Sequence, residues 1–139
     1  MPPVAALALR VDDYDGDTLR LSAPLAANVN DKGCAFGGSL VSLMTLAGWG
    51  LVTAKLLDAG LDAEVYVADS EVRYRAPLYA DLRAVAALAA GADWPAFVAT
   101  LRERGKSRLE VLARIDTPEG AVACESRSRF VAKRRPATE

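Results

Sequence analysis

Asn28, Asn30, Gly37 and Gly38 stand on a short segment that leads directly into a long apolar stretch. Backbone N–H groups in the first turn of a helix have no partner within it, and the helix dipole places partial positive charge there. With glycine at that turn no side chain obstructs those groups. They can then hold a carbonyl oxygen that gains negative charge during a reaction. Asn28 and Asn30 add side-chain amide donors, and Asn30 lies nearer the glycines in sequence. Plainer roles stand beside these: asparagines shape tight loops through Asx-turns, and glycines permit close helix–sheet packing. Phe36, Ser39, Thr45 and Cys34 flank the segment and are candidates for contact with a substrate. Asp69 is a candidate acid in a later strand.

The chain has no histidine, so general-base, nucleophile-activating or metal-binding imidazole chemistry is excluded within this polypeptide. Cys34 and Cys124 are far apart, with no ligand-spaced neighbours. They read as free thiols of a reducing compartment, and no metal site is expected. A net charge of −1 gives no overall electrostatic case for nucleic acid or a membrane surface. No charged-then-apolar leader precedes the first strand, so a cytoplasmic location is expected. The 139 residues are the size of a single domain, residues 1–139.

The elements that must position these residues follow from periodicity. The first eighteen residues read as weakly organised, with a turn at Asp12 to Asp17. Leu19, Leu21 and Ala23 alternate with polar residues in a short strand ended by Pro24. Asn28 to Gly38 is a loop. From Ser39 to about Leu57 the pattern predicts a helix apolar nearly all round, stopped by Gly60. Ser39, Ser42, Thr45, Thr53 and Lys55 interrupt it too often for a membrane span, so a core helix is expected, with Leu43, Leu46 and Trp49 buried.

Four strands are expected after it. In the segment 64–77, Val65 and Val67 share one parity while Val72 and Tyr74 share the other, which predicts a bulge within Ala68 to Ser70. Pro77 to Asp81 turns the chain into a strand over 82–90. Asp93-Trp94-Pro95 opens a short helix closed by Gly105. Strands over 109–115 and 121–132 flank a turn at Thr117 to Gly120, and a frayed tail continues from Lys133. The expected fold is α+β, one antiparallel sheet, its last four strands a meander, curled around one central helix. Pairing of sheet edges between two copies would protect the open edge.

The segment Asn28-Val29-Asn30-Asp31-Lys32-Gly33, then Ala35-Phe36-Gly37-Gly38-Ser39-Leu40, Leu46-Ala47-Gly48-Trp49-Gly50, Ala68-Asp69-Ser70 and Arg73-Tyr74 before Ala76-Pro77 together resemble the hotdog-fold thioesterase family found as the C-terminal domain of some acetyltransferase fusions (YiiD C-terminal-domain-like). The resemblance spans about Leu19 to Val131. It implies a hotdog fold, a homodimer with sites at the subunit interface, and acyl-CoA or acyl-carrier-protein thioesters as substrates. Coenzyme A or phosphopantetheine would enter only as part of the substrate, and no other cofactor is implied. Association of two dimers stays open.

Some members of the family resemble malonyl-acyl-carrier-protein decarboxylases, which would serve the priming of fatty-acid synthesis. Many hotdog thioesterases carry His-Gly-Gly where this chain has Phe36-Gly37-Gly38, and place an acid on the helix where this chain has Thr45. Hydrolysis would then need Asp69, Glu71 or Asp31 as a substitute. Decarboxylation of a malonyl thioester needs only carbonyl polarisation and an apolar surround, which Gly38, Asn30 or Asn28, and Thr45 could supply. A non-catalytic acyl-binding module is the third alternative. Arg102, Arg104, Lys106, Arg108, Arg127 and Arg129 read as solvated surface, or as a basic rim for phosphates or an acidic carrier protein.

Overall fold

The computed structural model describes residues 1–136. A short helix α1 (Pro2–Leu7) leads into strands β1 (Arg10–Tyr14) and β2 (Thr18–Ala23). A single 3₁₀ turn, Leu25–Ala27, then precedes the long helix α2 (Gly37–Asp58). Strands β3 (Ala63–Tyr74) and β4 (Leu82–Leu88), helix α3 (Trp94–Arg104), and strands β5 (Lys106–Asp116) and β6 (Val122–Arg134) complete the chain. The strands form one six-stranded sheet in the order β1-β2-β4-β5-β6-β3. Every neighbouring pair is antiparallel.

Helix α2 lies against one face of this sheet and carries the core. Leu43, Ala47, Leu51 and Val52 are wholly buried, packed with Leu82, Val111, Ile115 and Phe130 from the strands. By length and composition α2 could cross a membrane; here one side of it is buried against the sheet and a flank stays half-exposed. Gly48 is where the two layers touch. A Cβ there would lie 2.8 Å from Cε2 and 2.9 Å from Cζ of Phe130. Leu46 and Trp49 are only half-buried, on the flank of α2 nearest β3, where the Trp49 indole N–H donates to the Val65 carbonyl at 3.0 Å.

Several expectations are corrected by this architecture. The first eighteen residues are organised: β1 pairs with β2, the Asp15 carboxylate accepts the Thr18 N–H at 2.8 Å, and the Tyr14 hydroxyl donates to Asp58 at 2.6 Å. The alternation in Arg10 to Tyr14 is masked because this edge strand is exposed on both faces. The last four strands are not a meander. β3 lies beyond β6, at one end of the sheet, with β5 and β6 between it and its sequence neighbour β4. Residues 75–81 cross between them, anchored by Ala35 N–H donating to the Leu78 carbonyl, with the Leu78 side chain buried. Lys133 and Arg134 continue β6 rather than fray, held by the Arg134 N–H on the Gly105 carbonyl. Residues 137–139 of the expected tail lie outside the described residues.

The bulge in β3 is present, as a register shift between Val67 and Asp69 against β6. It places Val65 before it and Val72 after it against the same core. Helix α3 obeys its sequence signals: Asp93 Oδ1 accepts the Ala96 N–H at 3.0 Å, and Gly105 closes the helix at φ 76°.

Candidate functional site

The loop before α2 is a small hairpin. Phe36 N–H donates to the Asn28 carbonyl at 2.7 Å, Val29 bridges Ala35, and Asn30 N–H donates to the Cys34 carbonyl at 2.8 Å. Gly33 takes a positive φ of 82° at the tip, which a side chain would strain. Asn28 is therefore the asparagine beside the helix start, and Asn30, nearer in sequence, is at the far end of the hairpin.

The two amides have different tasks. Asn28 is 3% exposed, and its Nδ2 donates to the Leu7 carbonyl at 3.0 Å and the Pro24 carbonyl at 2.8 Å. Both amide hydrogens are thus used to fasten α1 and the end of β2 to the loop. Asn30 is half-buried. Its Oδ1 accepts the Lys32 N–H at 2.8 Å and the Cys34 N–H at 3.1 Å, which is an Asx-turn. Its Nδ2 contacts Cys34 Sγ at 3.2 Å, leaving one amide hydrogen for another partner. Cys34 is buried at this contact. Cys124, also buried, has its thiol pushed up to about 11 by that burial.

Phe36 is the N-cap residue of α2 and supplies no side-chain cap. Ser39 N–H and Leu40 N–H both donate to the Phe36 carbonyl, at 3.0 and 3.1 Å. Among the described residues the N–H groups of Gly37 and Gly38 have no protein acceptor. Two exposed aromatic rings flank them. A Cβ on Gly38 would lie 2.5 Å from Cε2 of Phe36, and one on Gly37 would lie 3.3 Å from Cε1 of Tyr74. The rings are 56% and 60% exposed. The glycines therefore admit the rings against the helix start and leave two donors between them. A cavity of about 330 Å³ adjoins Gly37, floored by Ala35, Leu40, Ala76 and Leu78. Arg75 stands at its rim, held by Glu125 through Nε at 2.9 Å.

Ser39 is buried beneath this turn, and Thr45 is half-buried two turns along α2. Asp69 is not brought to the site. The bulge turns it to the sheet face opposite α2, opposite Arg129 in register, and the Arg129 guanidinium grips both its oxygens. Hydrogen bonds from Arg129 hold its carboxyl below the usual carboxylate range. Asp69, the candidate acid of the sequence, is thus corrected to a surface salt-bridge partner, and the parity switch serves the apolar residues Val65 and Val72. Glu71 shares that exposed strand and pairs with Arg73, and Asp31 pairs with Lys32 at the hairpin tip. Tyr74 stands out in the sequence only as part of a motif. Its approach to Gly37 depends on the bulge, whose parity change is the one signal that could have placed it on the inner face.

Residues 1–134 match the family model described as "Putative thioesterase (yiiD_Cterm)". A solved protein of unknown function from Chlorobaculum tepidum is similar at 29% identity and a TM-score of 0.90, over 97% of this chain and 88% of that one. A protein from Shewanella oneidensis described as a "putative thioesterase" is similar in fold, at 23% identity and a TM-score of 0.84, over 96% of this chain and 89% of that one. With the model covering nearly the whole chain, and a six-stranded antiparallel sheet packed on one long helix, the protein belongs to this thioesterase family of hotdog fold.

Proposed function

We propose that the chain processes acyl thioesters carried by coenzyme A or an acyl carrier protein, with the N–H groups of Gly37 and Gly38 polarising the thioester carbonyl. The observation that carries this reading is the pair of donors at the start of α2, without protein acceptors and beside an apolar cavity. In hydrolysis, water adds to the carbonyl carbon and gives up a proton, and the carbonyl oxygen takes up negative charge against these N–H groups. Collapse then breaks the carbon–sulfur bond, the departing thiolate taking up a proton as the free thiol. The remaining amide hydrogen of Asn30 is a further donor toward substrate.

The reading includes a homodimer formed through β3. This strand ends the sheet, pairs among the described residues only with β6, and presents Tyr66, Val67 and Tyr74 exposed along it. An open edge of this length with apolar side chains is a template for pairing with a second copy. Antiparallel pairing of two β3 strands also sets the partner's helix alongside α2, over the half-buried flank that holds Leu46 and Trp49.

A second reading, decarboxylation of a malonyl thioester, is favoured by the lack of a base beside the two glycines. The chain has no histidine, Thr45 stands where an acid would serve, and Asp69 is on the opposite face in a salt bridge. Decarboxylation needs no base: the bond between the α-carbon and the carboxylate breaks, carbon dioxide leaves, and the electron pair becomes an enolate held at the carbonyl oxygen. Proton uptake at carbon then gives the acetyl thioester. Incubation with malonyl-carrier protein, malonyl-CoA and a panel of acyl-CoAs separates the two, with thiol release and acetyl-thioester formation scored independently. Thiol release identifies a hydrolase and acetyl thioester a decarboxylase. Turnover of none of these substrates removes both readings and leaves an acyl-binding module.

A further inference from the structure

A groove of about 970 Å³ opens between α3 and the first residues of β5. It lies at the end of the molecule away from Gly37, since α3 adjoins the C-terminal end of α2: Arg102 donates to the Ala59 carbonyl, and Lys55 Nζ sits 4.7 Å from the Trp94 ring centroid. Arg104, Lys106, Arg108 and Arg127 line the groove, with Asp93 and Glu110 the acids in its wall. Both acids are already engaged. Asp93 caps α3, and Glu110 pairs with Arg127. Among the described residues Arg104, Lys106 and Arg108 form no ion pair. Asp69 is close enough to be influenced by Arg108, but its oxygens are held by Arg129.

The rest of this sheet face is laid out differently. Asp69 stands opposite Arg129, which stands opposite Glu110; Arg73 stands opposite Glu125, which stands opposite Arg114. At the groove the alternation fails on β5: Lys106 faces Lys133, whose own opposite acid, Glu64, lies on the far side in β3, and Arg108 faces Val131. Like charges directly opposite one another destabilise a sheet, and the chain as a whole is slightly acidic. General basicity therefore does not explain the cluster, whereas a bound anion would relieve the repulsion.

We propose that this groove binds a ligand bearing more than one phosphate. Lys106 and Arg108 are alternate residues on one strand, so their stems are about 7 Å apart and suit separate phosphates. Arg108 and Arg104 offer guanidinium forks, which recognise phosphate oxygens in pairs. The source of those phosphates is the nucleotide end of coenzyme A or a free nucleotide. Assignment to coenzyme A rests on the thioester reading above; phosphate binding itself does not. Twenty-two residues make α2 about 33 Å long, so the groove and the chain's own Gly37 are a helix length apart. In a dimer paired through β3 the partner's helix start lies alongside this chain's helix end. The groove then serves a thioester held by the partner.

The test is calorimetric titration of the full chain with adenosine 3′,5′-bisphosphate and with pyrophosphate. Lys106→Gln with Arg108→Gln is the site variant, and Arg83→Gln, outside the groove, is the control. Loss of two charge-assisted contacts should weaken binding by about a hundredfold or more, while melting without ligand is no lower than the parent's, since Lys106→Gln removes the repulsion with Lys133, and the control is unaffected. Absence of saturable binding to the parent, or equal binding by the double variant, overturns the proposal. The second arm compares KM for an acyl-CoA and the matching acyl-pantetheine. A rise in the variant for acyl-CoA alone assigns the site to coenzyme A phosphates, and no change assigns it to a free nucleotide. If no thioester is turned over while bisphosphate still binds and the variant abolishes it, the groove stands and the thioester reading falls.

Discussion

Replacing Asn28 by Ala separates a structural amide from a catalytic one. The structure gives this side chain two donors, both spent on backbone carbonyls, those of Leu7 and Pro24, in a residue 3% exposed. Each hydrogen bond is worth about 1 kcal/mol net, and each buried carbonyl left without its donor adds a desolvation cost of similar size. The expected loss is about 2–4 kcal/mol. For a chain of this length that lowers the melting temperature by roughly 8–16 °C. The assay is thermal unfolding monitored by circular dichroism, with turnover measured well below the transition.

Asn28→Asp sharpens the test. A carboxylate facing two carbonyls is worse than Ala at neutral pH, and its pKa in the folded state must lie above the unfolded value. That variant should therefore be more stable at low pH and lose this stability as pH rises, the opposite of an ordinary salt-bridged acid. If Asn28→Ala melts within a degree of the parent yet loses turnover a hundredfold, the amide acts on substrate and the assignment made from its hydrogen bonds is refuted.

Other outcomes come from particular contacts. Asn30→Asp keeps the oxygen that accepts from Lys32 and Cys34 but removes the donors; melting should hold while turnover drops by roughly a hundredfold if the spare hydrogen serves the substrate. Gly48→Ala drives a Cβ into the buried Phe130 ring; overpacking of about 1–3 kcal/mol exceeds the gain of about 1 kcal/mol in helix propensity, so denaturant midpoints should fall. The Tyr14 phenol is pushed up to about 12 by burial and by its bond to Asp58. Since its folded pKa is raised, the stability it contributes is complete below about pH 10 and lost as pH rises toward 12, and a Tyr14→Phe variant should not show that loss. Light scattering should give a dimer, and Val67→Glu on the exposed strand should give monomer; a parent that is monomeric at micromolar concentration contradicts the β3 interface.

Much of the fold is legible because its determinants are local. The buried character of α2, the Asp93–Gly105 bounds of α3 and the bulge near Ala68 each depend on residues adjacent in sequence. Strand order is not local: nothing in Arg75 to Asp81 says that the segment crosses past β6 and β5 instead of turning back beside β3. The hairpin before α2 explains the exchange of roles between the asparagines. Sequence distance puts Asn30 nearer the glycines, but the bridge between Val29 and Ala35 folds it away and brings Asn28 back. Asp69 shows the same limit, since which face a bulged residue takes depends on the partner strand. The glycine pair is readable because a free helix start depends only on the apolar run beginning at Ser39.

Carbonyl polarisation is assigned to the N–H groups of Gly37 and Gly38, and these can be removed without touching a side chain. Glycolate in place of Gly38, then of Gly37, converts each amide N–H into an ester oxygen while leaving the Phe36 and Tyr74 rings where they lie. Each dimeric, folded variant should lose roughly a hundred- to thousandfold in turnover of the best thioester, the cost of one oxyanion donor. Rates within about threefold of the parent for both substitutions would mean that the carbonyl is held elsewhere.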